Sequence, residues 1–444
     1  VFKRSITDEI QGEQRVKQYE ALKKNRVPCY LPYVICILAS MFYLYEFVLQ
    51  VSPSVMTSQL MQDFGVGAAG VSVISAFYYY SYTPMQLVAG LLYDRFGPRR
   101  VLTAAVLVCA SGAFFFCTTQ SVEMASTGRF LMGVGSAFSF IGALMLISRW
   151  FPPYYFALIA GVVQSMSAIG AICGQIPIAA AVEDFGWRGT LKWIAFFGVV
   201  LAILISLIVR DNPPGVVLKS PKNKTGEMGR LRIVLEKPQT WFSGIYAFAS
   251  WGPIVLFAAL WGIPYLVEKY QVSTTQASVA CAMIWLGVGI GSPLFGWLSD
   301  LFQNRRGPLI LCSVLTVVSG VLVLYAPISY SMMYVVLFLF GLAGSGQSLS
   351  FAVVKDNNSN HVTGTAIGFN NLVLVLSGAV LQPFAGIILH KHWHGAYEHG
   401  VPLYHIGDYV AAMSLIPFCG ILGLIMSIFF IKETHCRRCV KERD

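Results

Sequence analysis

The sequence predicts an all-α membrane protein: twelve transmembrane helices in two pseudo-symmetric six-helix bundles, with both termini cytoplasmic. Three observations predict it. Hydrophobic residues make up 56% of the chain and charged residues 12%, about half the charged share of a soluble domain. The apolar residues fall into twelve runs, each near the roughly 20 residues that cross a bilayer core as a helix. The charged stretch Gly90-Leu-Leu-Tyr-Asp94-Arg95-Phe-Gly97-Pro-Arg99-Arg100 returns, degraded, as Gly296-Trp-Leu-Ser-Asp300-Leu-Phe-Gln-Asn-Arg305-Arg306. Such a repeat, half a chain apart, marks a duplicated bundle.

The first six spans are expected at 30–58, 70–93, 101–119, 125–148, 155–181 and 190–209. The second six are expected at 241–267, 276–299, 308–326, 332–354, 364–389 and 406–431. Short polar hairpins join most of them. The polar 210–240 segment, with Asp211-Asn-Pro-Pro214 and Lys219 to Lys224, divides the chain into six plus six. The expected organisation is a cytoplasmic segment 1–28, a bundle 29–209, a linker 210–240, a bundle 241–431 and a tail 432–444. The opening segment is polar and charged, so no cleavable leader is expected.

Charge sets the orientation. With both termini cytoplasmic, 26 of the 31 Lys and Arg fall on that side, as the positive-inside rule requires. The net charge of +10 therefore reports topology, and no nucleic-acid partner is expected. Most of the ten cysteines lie within apolar runs and read as small hydrophobes rather than a disulfide framework. Cys436-Arg-Arg-Cys439 is a lone CxxC, read as a solvated thiol pair.

The turn after the second span resembles the signature loop of the major facilitator superfamily, Gly-x-Leu-x-Asp-Arg-x-Gly-x-Arg-Arg, with Pro98 at a usually basic position. Arg129-Phe-Leu-Met-Gly133-Val-Gly135 in span 4 resembles the same family's Arg-x-x-x-Gly-x-Gly pattern. The resemblance covers the whole chain. It implies alternating access around a site near the bilayer midplane, lined by spans 1, 4, 7 and 10. It also implies a cytoplasmic gate built from Gly90, Asp94, Arg95, Arg99 and Arg100 and, from the second copy, Asp300, Arg305 and Arg306. Asp94 would face the N-terminus of span 11. The gating chemistry is expected to be concentrated in the first copy. The antiporter pattern of span 5 is not met, since that span reads Gly170-Ala-Ile-Cys-Gly174-Gln-Ile-Pro177. Arg149-Trp-Phe-Pro and Phe185-Gly-Trp187-Arg188 loosely resemble bacterial importers of organic anions and amino acids, phagosomal nutrient transporters among them.

Polar groups inside spans are costly and mark function. Glu46 is the one carboxylate placed near mid-depth, and Tyr43, Glu46 and Gln50 share a helix face. Burial favours its neutral form, so it suits a proton carrier, while a nearby Arg129 would act the other way. We expect Glu46 and Arg129 to pair across spans 1 and 4, and protonation or substrate to break the pair; the plainer alternatives are a permanent salt bridge or a Glu46 that reaches the outer water alone. Gln164 and Gln175 in span 5 lie 11 residues apart, as do Asn371 and Gln382 in span 11, which puts each pair on one face. Gln164 and Asn371 are expected at the cavity, Gln175 and Gln382 at helix contacts. Tyr79, Tyr82 and Gln86 share a face of span 2. Trp251, Trp285 and Gln347 complete the expected substrate site; Trp261 is either a pocket wall or an interfacial residue. Five histidines, His390, His392, His394, His399 and His405, crowd the outer 11–12 loop, where a polar or pH-sensitive loop is favoured over a metal site.

With no phosphate loop, activated nucleophile or metal cluster, no enzyme and no cofactor are expected. The reading is a monomeric, proton-coupled importer of a small polar metabolite, an amino acid or organic anion, in a bacterial inner membrane. An exporter of drugs, siderophores or other metabolites is the alternative, as is a non-transporting nutrient receptor.

Overall fold

Each expected span begins or bends where the backbone has a reason to do so. A computed structural model describes residues 30–151, 153–213, 227–359, 362–398 and 401–437. The expected N-terminal segment, Lys219 to Lys224, His399 and Cys439 lie outside the described residues. Span 1 is α1 (Leu31–Val51), with proline in its first turn, continued by a 3-10 turn at Ser52–Val55. A short helix, α2 (Thr57–Phe64), then turns 109° into α3 (Ala68–Phe96), which is span 2. Gly97, at φ 77°, links α3 to α4 (Pro98–Thr118). That left-handed conformation suits glycine, and a Cβ there would also meet the Asp211 carboxylate at 2.8 Å.

Span 4 is broken into α5 (Val122–Ser136), capped by Ser121, and α6 (Ser139–Trp150). Spans 5 and 6 run on as one helical stretch, α7 (Pro153–Ile208), bent at Gly186, where φ is 67°. The expected loop between them is thus a tight bend on one glycine.

The second half repeats these features. After α8 (Glu227–Leu235), span 7 comprises α9 (Pro238–Leu256), a π segment at Phe257–Trp261, and α10 (Gly262–Tyr270). Spans 8 and 9 are α11 (Thr274–Leu301), opened by a Ser273/Gln276 capping box, and α12 (Arg306–Tyr325). Span 10 breaks into α13 (Tyr330–Gly344) and α14 (Gly346–Asn357). Its break at Ser345 lies 207 residues after the Phe138 break in span 4. Span 11 is α15 (Thr363–His392). A two-residue hairpin follows, β1 (Tyr397–Glu398) antiparallel to β2 (Val401–Pro402). Span 12 is α16 (Ile406–Met413), α17 (Leu415–Ile425) and a π turn at Met426–Phe430. Ten described helices are long and apolar enough to cross a membrane, or eleven if the bent pair α2–α3 is one span. Dividing α7 at Gly186 accommodates the twelve expected.

Burial sorts the spans. The most apolar stretch of span 7 is 89% buried and that of span 12 only 33%, so span 7 is central and span 12 peripheral. The outward faces of spans 6 and 12 carry exposed Trp193, Leu207, Phe418 and Phe429, which is a lipid-facing surface. Helices approach closely over glycine. A Cβ on Gly133 would run into the Tyr78 carbonyl, and one on Gly341 into the Ile284 carbonyl.

The two halves meet at the end of the bundle away from the charged turns. There Trp261 Nε1 donates to Ser72 Oγ (3.1 Å), the Tyr404 hydroxyl accepts from the Ala68 amide (2.9 Å), and Thr275 donates to Glu183 (2.8 Å). Trp261 is therefore a buried contact between halves, not an interfacial belt residue. On the face bearing the charged turns, a Cβ at Gly90, Gly296, Gly364 or Gly368 would meet open space. Among the described residues, the side-chain bonds that join the halves lie at mid-depth and at the end away from the charged turns, and none lies on the charged face.

Candidate functional site

The breaks in the spans create the site, because an interrupted helix frees carbonyls that side chains must satisfy. At the span 4 break, Tyr93 donates to the Phe138 carbonyl at 2.5 Å and Gln86 to that of Ala137 at 3.4 Å. At the span 7 π segment, Gln175 from the first half donates to the Ala258 carbonyl at 2.6 Å, and Gln382 to that of Val255 at 3.0 Å. The second amide of each pair is thus a helix contact, as its position suggested.

Between the halves, near mid-depth, lies a cavity of about 90 Å³. Tyr43, Glu46, Gln50, Tyr82, Gln164, Trp251, Gln347 and Asn371 line it, all expected from the sequence. Phe47, Gln86, Phe140, Phe351, Leu374 and Val375 complete the wall. The helical face carrying Tyr43, Glu46 and Gln50 could have pointed to Phe47, one turn from Tyr43; the aromatic residues of spans 4 and 10 gave no separate signal. Tyr79 and Trp285 stand behind the wall rather than on it. Tyr79 accepts from Gln50 Nε2 at 3.3 Å, and Trp285 packs edge-on against Phe47 and Trp251.

Glu46 is 2% exposed and Arg129 1%, yet the expected ion pair between them is not formed. The Ser139 hydroxyl donates to the Glu46 carboxylate, and Tyr82 and Tyr78 lie beside it. Arg129 donates from Nη1 to the Leu49 carbonyl at 2.7 Å and stacks 4.8 Å from the Tyr78 ring centroid. The aromatic cluster of span 2 separates the two charges. The arginine is thus held by a carbonyl and a ring face. Its Nε and Nη2 have no hydrogen-bond partner among the described residues.

Among the described residues the charged turns bond within their own halves, and no hydrogen bond or ion pair bridges them. Asp94 and Arg100 are exposed, Arg95 lies over the Phe96 ring, and among the described residues no hydrogen bond joins Asp94 to the N-terminus of span 11. The Arg99 amide donates to Asp211 at 2.7 Å, and its guanidinium donates to the Ser206 carbonyl. In the second half Arg305 pairs with Asp300 at 2.7 Å and Asp356 at 3.1 Å, while Arg306 donates to the Ser427 carbonyl at 2.8 Å. The Arg305 and Arg306 amides donate to Glu433 at 2.9 and 2.8 Å. The second copy is the more densely bonded one within its own half. The missed partners, Asp211 and Glu433, had a signal. Val209-Arg210-Asp211 and Ile431-Lys432-Glu433 close the two halves in the same pattern, each carboxylate capping a helix N-terminus.

The histidines of the outer loop are dispersed. His390 stacks on Trp393, His394 lies 3.7 Å from Asp408 and His405 3.8 Å from Glu268. Among the described residues no group of three His, Cys, Asp or Glu is placed to hold a metal.

Two helical bundles with matched breaks around a polar central cavity define a membrane carrier. The family model "Major Facilitator Superfamily" matches residues 35–383, and the chain belongs to that superfamily. It is an integral membrane transporter of small molecules and not an enzyme. It is 26% identical over 352 residues to the hexuronate transporter of Bacillus subtilis (strain 168), covering 74% of this chain and 81% of that protein. It is 22% identical over 391 residues to the chloroplastic ascorbate transporter of Arabidopsis thaliana, covering 81% and 70%. A probable hexose phosphate transport protein of Chlamydia trachomatis is 22% identical over 375 residues, covering 76% and 81%. Among solved structures, a bacterial homolog of the human lysosomal transporter Spinster, inward-facing and unoccupied, superposes with TM-score 0.72 at 17% identity, covering 90% of this chain and 98% of that one. The nucleoside transporter NupG gives TM-score 0.71 at 12% identity, covering 89% and 100%.

Proposed function

We propose that this transporter imports a small organic anion, of the sugar-acid or sugar-phosphate class, together with protons, as a monomer in a bacterial inner membrane with both termini cytoplasmic. One observation carries the reading. A buried carboxylate, Glu46, opens on the cavity, while the buried guanidinium of Arg129, behind it, has no carboxylate partner among the described residues and keeps its Nε and Nη2 N–H groups without a hydrogen-bond partner there. Such an arrangement favours negative charge arriving in the cavity and a proton arriving with it. Gln164, Gln347 and Asn371 supply hydrogen bonds to hydroxyls of the cargo, and Trp251 a ring face for its carbon skeleton. The relatives that carry hexuronate, ascorbate and hexose phosphate support the anion class over an amino acid. The face bearing the charged turns is the cytoplasmic one by the positive-inside count, so a structure whose described bonds between halves lie away from it is the state that releases cargo inward.

The test is uptake of labelled hexuronate, hexose phosphate and amino acids into proteoliposomes with an imposed proton gradient, acid outside. The reading expects accumulation of an anion that collapses when a protonophore is added. Accumulation of amino acids alone, or anion uptake indifferent to the protonophore, would contradict it.

A further inference from the structure

Span 4 breaks between Ser136, the last residue of α5, and Ser139, the first of α6. Both serines are buried. The Ser139 hydroxyl has two acceptors within reach: the Glu46 carboxylate on span 1, and the Ser136 carbonyl across the break at 2.9 Å. A serine hydroxyl carries one hydrogen, so it serves one of them at a time. Charged Glu46 takes that hydrogen, because a carboxylate is the stronger acceptor. Protonated Glu46 donates its own hydrogen to Ser139 Oγ, and the serine hydrogen turns to the Ser136 carbonyl. The other titratable groups around Glu46 are Tyr43 on its own helix, Tyr78, Tyr79 and Tyr82 on span 2, and Cys109 on span 3. Arg129 on span 4 is turned to the Leu49 carbonyl. Of the described bonds to Glu46, that of Ser139 alone comes from the break. The neighbouring carbonyls of the break are held by Gln86, a wall residue of the cavity, and by Tyr93, which precedes Asp94 of the first charged turn. The matching place in the second half, 207 residues on, is Gly346, which has no hydroxyl.

We propose that Ser139 is a positioning residue that senses the protonation of Glu46 and passes it to the span 4 break by moving one hydrogen bond. The proposal rests on Glu46 as the proton carrier. It is tested by infrared difference spectroscopy on the purified full chain, following over pH the carboxylic C=O band that Glu46→Gln removes. In Ser139→Ala the charged form loses a donor, so that band should titrate about one pH unit higher than in the wild type. The pH of half-maximal anion accumulation in proteoliposomes should move the same way by the same amount. Ser139→Thr, which keeps the hydroxyl, should restore both. Unfolding midpoints show that each variant is folded. A serine that only packs would lower the rate at every pH and leave the titration unmoved. A Glu46 band that titrates alike in the wild type and Ser139→Ala, or a displacement that Ser139→Thr leaves in place, would overturn the proposal with the carrier reading intact. No titrating Glu46 band in the wild type would instead overturn the carrier reading, and the proposal with it.

Discussion

Arg129 concentrates the electrostatic argument at the scale of single residues. It is held by one carbonyl and one ring face at the same time, which the long planar guanidinium spans; a lysine ammonium is a compact point charge that cannot stack on the ring while it donates to the Leu49 carbonyl. Arg129→Lys should therefore lower anion uptake at least tenfold although the charge is kept, as initial rates in proteoliposomes would show. Uptake within twofold of the wild type would mean that the guanidinium geometry is irrelevant. A second residue-scale prediction concerns the tail. Partial burial pushes the Glu433 carboxyl up, but bonds from the Arg305, Arg306, His435 and Thr434 amides outweigh it and hold it below its ordinary 4.5. A carboxylate with a lowered folded-state value stabilises above the unfolded value and loses that contribution as pH falls through the folded one. The tail contact should thus persist at pH 5 and loosen only below 4.5. Amide hydrogen exchange at residues 305–306 and 432–437 checks this; loosening already at pH 6 would contradict it.

Among the elements, the broken helices matter most, because their freed carbonyls are what the amides of spans 5 and 11 satisfy. Replacing Gln382 by Leu leaves the buried Val255 carbonyl without its side-chain donor, and Gln175→Leu leaves that of Ala258 with only the weak Cys281 thiol; such losses cost about 1–3 kcal/mol. Each should lower the unfolding midpoint, and Gln175→Leu should in addition ease opening of the outer face, since its bond crosses between halves. Accessibility of a cysteine placed at Ser72 to a bulky thiol reagent reports that opening. The existence of the spans was legible in the sequence because lipid demands long apolar runs, and their interruptions were not. Phe138 and Ser345 sit in ordinary apolar or small-residue contexts, and the π segment at Phe257–Trp261 contains no proline or glycine. Helix breaks are decided by tertiary packing, which the run of residue types does not record. Eight residues of the cavity wall were legible because polar groups at mid-span have few other places to go. The separation of Glu46 from Arg129 was hidden, since it depends on where the Tyr78 ring packs.

For the whole molecule, the described bonds between the halves lie at mid-depth and at the end away from the charged turns, and none lies on the charged face. Alternating access then requires the reverse state, in which the glycine-bearing stretches of spans 2, 8 and 11 close. Gly368→Trp should obstruct that closure and trap the protein as it stands here, lowering uptake while leaving the unfolding midpoint nearly unchanged, because the site is open space. The central claim is that Glu46 carries the proton that drives an anion inward. Glu46→Gln mimics the protonated carboxyl and tests it most directly when two fluxes are compared in the same proteoliposomes. The account predicts that the variant loses gradient-driven accumulation but retains exchange of labelled for unlabelled anion. Accumulation at the wild-type level in the Glu46→Gln protein would contradict it.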